Sequence, residues 1–365
     1  MNSSQKYSEI SAQNFFDVKN QLLEIADLDE LINKAYIEIL GRKVDIGGYD
    51  YYMTSLKDGV LSRANFLDSI YQSEEYKGKK YNYQPSFRLS SYDNATKFIE
   101  ENIENEVVRG SVDNISNNVV KKILKLVDEQ NILINNYIID VLDYEKYFNE
   151  AQYASKYPNY YKGNLKEKSL EHYIALKLLG LSKNDIFIDI ASEHSPVPEI
   201  YSRLINCCTY SQDIMYPDGV HGDKIGGDAC AMPLPDAFAS KASLTCSIEH
   251  FEGDADTRLF KELSRILKVG GQIAVVPFYL FNEDATQTDP TISVPARVVF
   301  DEDCKVYCAE GWGNRHGRFY SPTSFMRRIV LPMKNHFHFD VYYFNNAASI
   351  DSSVYLRFAF VGTKL

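Results

Sequence analysis

Between Ile225 and Tyr279 the chain runs through a fixed succession of elements, and that succession restricts the fold more than any other feature. It opens on Ile225-Gly-Gly-Asp-Ala-Cys-Ala-Met-Pro-Leu-Pro-Asp, an acidic turn, and an apolar strand pattern then stops at Ser247-Ile-Glu-His-Phe. An amphipathic helix follows, ending Arg265-Ile-Leu-Lys-Val-Gly-Gly, and Gln272-Ile-Ala-Val-Val-Pro-Phe-Tyr279 is the next strand signal. Strand, helix, glycine turn and strand in this order build parallel strands joined by crossover helices. Strand signals at Ile186–Ala191 and Cys207–Asp213 extend the pattern upstream. Phe337–Phe344 and Val354–Val361 read as a closing antiparallel hairpin. The expected class is therefore α/β, an open sheet with a terminal hairpin, preceded by a small all-α domain.

Bulk properties exclude several partners. A chain of 365 residues is long enough for more than one domain. The net charge of -11 argues against nucleic acid, whose phosphates require a basic surface. No apolar run approaches the roughly 20 residues that span a bilayer. Met1-Asn-Ser-Ser-Gln-Lys lacks the apolar core of a signal peptide, so a cytoplasmic protein is expected. The six cysteines form no C-x2-C pair, and Gly253-Asp-Ala-Asp is too short for a calcium loop. No metal centre is expected.

Three segments are expected: a helical accessory or docking domain at 1–80, a linker with a long amphipathic helix or helix pair at 81–142, and the sheet domain at 143–365. In the first, a short helix is expected around Phe15–Ile25. Leu31, Ile32, Ala35, Tyr36, Ile39 and Leu40 share a helical face ended by Gly41. Gly47 to Leu56 reads as a second helix, Asp58-Gly59 as a turn, and Ser62 as the cap of a third helix presenting Phe66, Leu67, Ile70 and Tyr71. Tyr36-Ile-Glu-Ile-Leu-Gly-Arg-Lys-Val-Asp-Ile-Gly-Gly-Tyr-Asp-Tyr-Tyr, with Ser73-Glu-Glu-Tyr, resembles a small bacterial helical domain of uncharacterised function. That domain is distantly similar to phycobilisome linker modules, and Tyr52 stands where the family favours tryptophan. The resemblance covers about residues 28–77 and implies docking rather than chemistry. Residues 78–115 read as a linker with one helix near Glu100–Glu106. The apolar positions from Val119 to Val141 suit either packing against the sheet domain or a dimer seam.

The candidate site follows from strand order, because ligands of open α/β sheets sit beyond the carboxyl ends of the strands. Asp189-Ile-Ala-Ser-Glu-His-Ser195 follows the first strand, Asp213 ends the second, Gly227-Asp-Ala229 follows the third, and Ser247-Ile-Glu-His250 follows the fourth. In this order and wording the segment from about 145 to 365 resembles class I S-adenosylmethionine-dependent methyltransferases, which implies a Rossmann-like sheet and S-adenosylmethionine as cofactor. The resemblance assigns cofactor contacts to Asp189, Ala191, Ser192, Asp213, Asp228, Ala229 and Ser247. Asp213 would accept from both ribose hydroxyls, and Asp228 would take the adenine amino group.

Tyr161, Lys168 and His172 lie on the segment that closes over the cofactor in that family and could reach it; a surface or core role is the alternative for each. His250, ordinarily titrating near neutrality, is the candidate general base with Glu249 in support; a structural histidine is the alternative. This chain departs from the family at the first loop, where three glycines are replaced by Ala191, Glu193 and Ser195. Pro290 to Gly317 reads as a long irregular lid, and Arg315, Arg318 and Tyr320 as candidate acceptor contacts or an ordinary solvated loop. The implied activity is methyl transfer to a small molecule or glycan, with a sugar hydroxyl as the acceptor. A non-catalytic methyltransferase-like binding domain is the alternative. A homodimer or docking partner would engage residues 28–142. A nicotinamide enzyme is disfavoured because G-x-G-x-x-G is absent.

Overall fold

The computed structural model describes residues 12–40, 42–73, 91–161 and 163–365, which fall into two compact units. Among the described residues there are thirteen strands: β1 Val107–Arg109, β2 Ile134–Asn136, β3 Ile186–Ile190, β4 Cys208–Asp213, β5 Gly219–His221, β6 Lys224–Gly226, β7 Ala239–Thr245, β8 Leu267–Val276, β9 Ala285–Thr288, β10 Lys305–Cys308, β11 Gly317–Phe319, β12 Phe337–Tyr343 and β13 Phe358–Lys364. Nine of them form one sheet in the order β2-β12-β13-β8-β7-β3-β4-β6-β5. β6, β4, β3, β7 and β8 pair in parallel, whereas β13 runs antiparallel to both β8 and β12. Taken in chain order, the parallel strands lie across the sheet as third, second, first, fourth and fifth. That is the doubly wound arrangement, and its direction reverses between β3 and β7.

Alternation explains why apolar residues of both parities occur in the central strands β3 and β8. In β3, Ile188 and Ile190 enter one core while Phe187 enters the other. In β8, Ile273 and Val275 face the first core, and Ala274 and Val276 the second. With both faces covered, strand residues of either parity are buried. Leu259, Phe260, Leu263 and Ile266 of the helix Ala255–Ile266 close the first core. Leu170, Tyr173 and Ile174 of the helix Leu165–Leu179 close the second, joined by Ile200 and Tyr201. Gly180 ends the Leu165–Leu179 helix in the left-handed conformation, as its position in the sequence suggests.

Four sequence expectations are corrected. The segment Pro290–Gly317 is not irregular: it contains the helix Pro290–Ala296 and strand β10. β10 belongs to a second sheet, β1-β10-β9-β11, in which Val107 pairs with Val306 and Arg318 with Thr286. Strands of three or four residues carry too few alternations to be read. The helix expected at Glu100–Glu106 is Tyr92–Asn102, because Ser91 accepts from the Asn94 N–H and fixes its start. Beyond the helix Asn117–Glu129 there is no second helix before Val141 but β2, parallel to β12. Finally, Gly270-Gly271 does not separate helix from strand. β8 begins at Leu267, and the glycines lie in a register shift against β7, where a Cβ on Gly271 would stand 2.7 Å from the Lys268 carbonyl oxygen.

In the smaller unit, the helices Leu28–Ala35, Ile46–Lys57 and Arg63–Gln72 surround Leu31, Ile32, Ile39, Phe66, Leu67 and Ile70. Asp27, Asp45 and Ser62 cap them through side-chain oxygens. Tyr52 is buried, its ring edge-on to Phe66 at 4.7 Å. Tyr36–Leu40 forms a π-helical turn. The expected stop at Gly41 and most of the Ser73-Glu-Glu-Tyr ending lie outside the described residues.

Candidate functional site at the sheet's switch point

A crevice opens where the sheet reverses direction. Its walls are the 191–195 turn after β3, Thr245 and Cys246 at the end of β7, and Tyr160, Tyr161, Lys168 and Glu171 from the segment before β3. Ten non-glycine residues among those described have positive φ, and four of them, Tyr161, Ala191, Glu193 and Cys246, line this crevice. Side chains with a Cβ avoid that region, and such strain gathers at functional sites.

The turn after β3 has the shape a glycine loop would take without its glycines. Ala191 and Glu193, at two of the replaced positions, have φ of 51° and 47°. Its backbone is tied down on every side. The Ala191 N–H donates to Gln212 Oε1 at 3.2 Å, and the Ser192 N–H to the Gln212 carbonyl at 2.9 Å. The Glu193 N–H donates to Asp213 Oδ2 at 2.7 Å, while Asp213 Oδ1 accepts from the Met215 N–H at 2.9 Å. Tyr216 donates its hydroxyl to the Glu193 carbonyl. Asp213 thus braces the turn through Oδ2 and its own following loop through Oδ1; a carboxylate has about four acceptor positions, so two remain. The Glu193 carboxylate faces its neighbour His194 at 3.3 Å, and the His194 ring stacks on Tyr161. Asp189, wholly buried, accepts from Ser243 Oγ at 2.8 Å; burial pushes its carboxyl up to about 6 despite the opposing pull of Ser195 and Ser243.

Relief of this strain is measurable. Ala191→Gly and Glu193→Gly should each raise unfolding stability by about 0.5–1 kcal/mol, the left-handed penalty outweighing glycine's added chain entropy. Urea midpoints that stay put or fall would show the turn to be unstrained.

A second set of polar groups lies along the opposite wall, where the expected Lys168 meets partners that sequence reasoning missed. Lys168 Nζ donates to both Glu171 oxygens at 3.3 and 3.2 Å, and the Cys246 thiol donates to Glu171 Oε1 at 3.2 Å. Cys246 Sγ also lies 3.2 Å from the Tyr279 hydroxyl. Glu167 accepts from the Tyr355 N–H at 2.8 Å. Burial, and then Glu171, hold the Glu167 carboxyl well above its ordinary range, and burial likewise raises Glu171 against the pull of Lys168. The wall therefore carries an ion pair, a buried carboxyl and a thiol. Lys168 and Glu171 stand one helical turn apart, a visible signal, but that spacing is common on solvated faces.

His172, for which the sequence left a cofactor contact or a core role open, is enclosed. Tyr153 and Tyr160 hydroxyls lie 2.8 and 3.1 Å from its Nδ1 and Nε2, and burial pulls its pKa down to about 3. The folded state cannot take the proton that the unfolded chain binds below its ordinary value near 6.5. Stability is therefore kept above pH 6.5 and lost as pH falls toward 3. His172→Gln should flatten that limb of a stability–pH curve; an equally steep loss would place the liability elsewhere.

Of the expected contacts, Ala191 and Ser192 line the crevice, as do Tyr161 and Lys168. Asp228 is exposed at the turn after β6, where Oδ1 accepts from the Cys230 N–H at 2.8 Å and Oδ2 stands 3.7 Å from Arg258. Ala229 is a core residue. Ser247 and Glu249 are buried, with Ser247 Oγ and Glu249 Oε2 lacking hydrogen-bond partners. His250 Nε2 faces Glu249 Oε1 at 3.7 Å.

The expected acceptor contacts are corrected. Arg318 and Tyr320 do not belong to a solvated loop but are 3% and 0% exposed. Arg318 meets Asp256 at 3.3 Å and Asp301 at 2.7 Å, and the Tyr320 hydroxyl donates to Asp256 at 2.9 Å. Their polar atoms are consumed by the fold. Arg315 is exposed, and its carbonyl accepts from Thr288.

Residues 23–80 match a family model described as a domain of unknown function, DUF4214. No curated protein matches the sequence. Among solved structures, the chain is similar to the Burkholderia thailandensis 1,6-didemethyltoxoflavin-N1-methyltransferase with bound 1,6-didemethyltoxoflavin and S-adenosylhomocysteine. That likeness has 11% identity, covers 63% of this chain and 92% of that one, and has a TM-score of 0.35. The chain is also similar to the geranyl diphosphate C-methyltransferase of Streptomyces coelicolor A3(2), at 11% identity over 67% of this chain and 98% of that one, with a TM-score of 0.34. At such scores the fold assignment rests on the chain's own strand order and switch-point crevice, which are those of a Rossmann-like α/β domain with a terminal antiparallel hairpin.

Proposed function

We propose that the chain is an S-adenosylmethionine-dependent methyltransferase acting on a small-molecule or glycan acceptor through a hydroxyl. The observation that carries the reading is the crevice itself: four left-handed, side-chain-bearing residues converge at the sheet's switch point, two of them on a turn whose backbone is already fixed. The cofactor's chemistry fits the groups around it. Lys168 and Glu171 offer opposite charges for a zwitterionic amino-acid end, and the Tyr160 and Tyr161 rings suit a sulfonium cation. Asp213 retains acceptor positions for a ribose diol, with Asp228 and Ala229 assigned to the adenine side and Asp189 and Ser247 supporting the two loops. Glu193 is compatible with this fit because its carboxylate is turned to His194.

When bound, the cofactor supplies an electrophilic methyl group. The protein's share is to align the acceptor, exclude water, and take a proton from an acceptor hydroxyl at His250, with Glu249 beside it. Residues 1–80 serve as the docking module, 81–142 as the connection, and 143–365 as the catalytic domain. Isothermal calorimetry of the full chain with S-adenosylmethionine and S-adenosylhomocysteine tests the reading. Saturable heat and a raised melting temperature are expected with both; silence in both measurements would end it.

A further inference from the structure

His316 lies outside every group assigned so far, yet it makes reciprocal contacts with the Glu249-His250 turn. The His250 Nδ1 lies 2.5 Å from the His316 carbonyl oxygen, and His316 Nδ1 lies 3.0 Å from the Glu249 carbonyl oxygen. A carbonyl only accepts, so each Nδ1 carries the hydrogen and donates. Each imidazole's lone pair is then on Nε2. The turn is held from one side of one strand: two residues on, Arg318 donates to the Phe251 carbonyl at 2.6 Å. His316 is 1% exposed and its Nε2 has no hydrogen-bond partner. Burial, aided by Arg318, brings its pKa down to about 3, so it holds the turn as a neutral donor at all ordinary pH values.

We infer that His316 is a positioning residue: its imidazole, bonded to the Glu249 carbonyl, holds its own backbone carbonyl against His250 Nδ1, fixing His250 in the Nδ1–H tautomer and making Nε2, the nitrogen facing Glu249, its basic atom. A proton arriving at Nε2 then meets a carboxylate 3.7 Å away. This arrangement gives the dyad a direction: the proton is taken on the Glu249 side, and the backbone-bonded nitrogen never releases its own. The inference rests on the methyltransferase reading for its purpose, but its geometry is open to test in the ligand-free protein.

The test is long-range proton–nitrogen correlation spectroscopy on the full chain labelled at its seven histidines, at pH 8.5, with His250 assigned from its loss in His250→Gln. The wild type is expected to show His250 as a single Nδ1–H tautomer. His316→Phe removes the donor to Glu249 and should give a mixture, whereas His316→Asn keeps a donor near the Nδ1 position and should restore the single form. A wild-type His250 protonated at Nε2 overturns the inference outright, whatever becomes of the variants. An unchanged tautomer in a folded His316→Phe overturns it as well. A fixed tautomer together with absent S-adenosylmethionine binding would remove the transferase reading and leave the positioning role standing.

Discussion

Asp256→Ala should destabilise the larger unit by about 3–5 kcal/mol, the range seen when one partner of a buried ion pair is removed. Asp256 is fully buried at the start of the helix Ala255–Ile266. Arg328 donates to its two oxygens at 2.7 and 2.9 Å, Arg318 at 3.3 Å and Tyr320 at 2.9 Å. Its loss leaves two guanidinium groups with Asp301 as their remaining carboxylate. The measurement is the urea transition of the full chain, with Lys125→Ala as comparison. The Lys125–Glu129 pair is 78% and 51% exposed at its side chains, and its removal should move stability by less than about 0.5 kcal/mol. A small effect at Asp256 would mean that water reaches the network and satisfies the arginines.

Asp213→Ala is expected to weaken S-adenosylmethionine binding by about 100-fold or more. Two backbone N–H groups lose a charged acceptor, each such hydrogen bond contributing about 1.5–3 kcal/mol, and 1.4 kcal/mol is tenfold in affinity. The loss acts mainly through shape, since the 191–195 turn takes its position from Asp213 and Gln212. Asp213→Asn keeps one amide oxygen and should fall between. Calorimetric titration reads the series. Equal affinity for all three proteins would detach the turn from the ligand and count against the switch-point crevice as the binding site.

Much of the fold was legible because the parallel strands are buried on both faces. Ile186 to Ile188 and Ile273 to Val276 are apolar runs of both parities that only a covered sheet accommodates, and the helix Ala255–Ile266 carries its stripe at helical spacing. What escaped was short or encoded at a distance. β1 and β2 have three residues each and acquire strand geometry only by pairing with β10 and β12, two hundred residues away in sequence. At the site, the turn after β3 was placed correctly by its position in the strand order, yet its left-handed residues are invisible in a stretch without glycine. Arg318 and Tyr320 misled because basic and aromatic residues beside glycines resemble a surface loop. Their partners, Asp256 and Asp301, stand 62 and 17 residues away. Glu167 and Glu171 went unread for the same reason: charge on a helix reads as solvated until tertiary packing buries it.

The side-chain-bearing turn at 191–195 has a consequence for the thermodynamics of whatever enters the crevice. A glycine loop wanders among many conformers and must be ordered when its ligand arrives, an entropic penalty that subtracts from affinity. Ala191 and Glu193 carry Cβ atoms that narrow that wandering, and four backbone hydrogen bonds hold the conformer that remains. The chain has accepted a less stable fold in exchange for a rigid cradle. Glycine at either position would then yield a sturdier protein that binds more loosely, stability and ligand affinity moving in opposite directions.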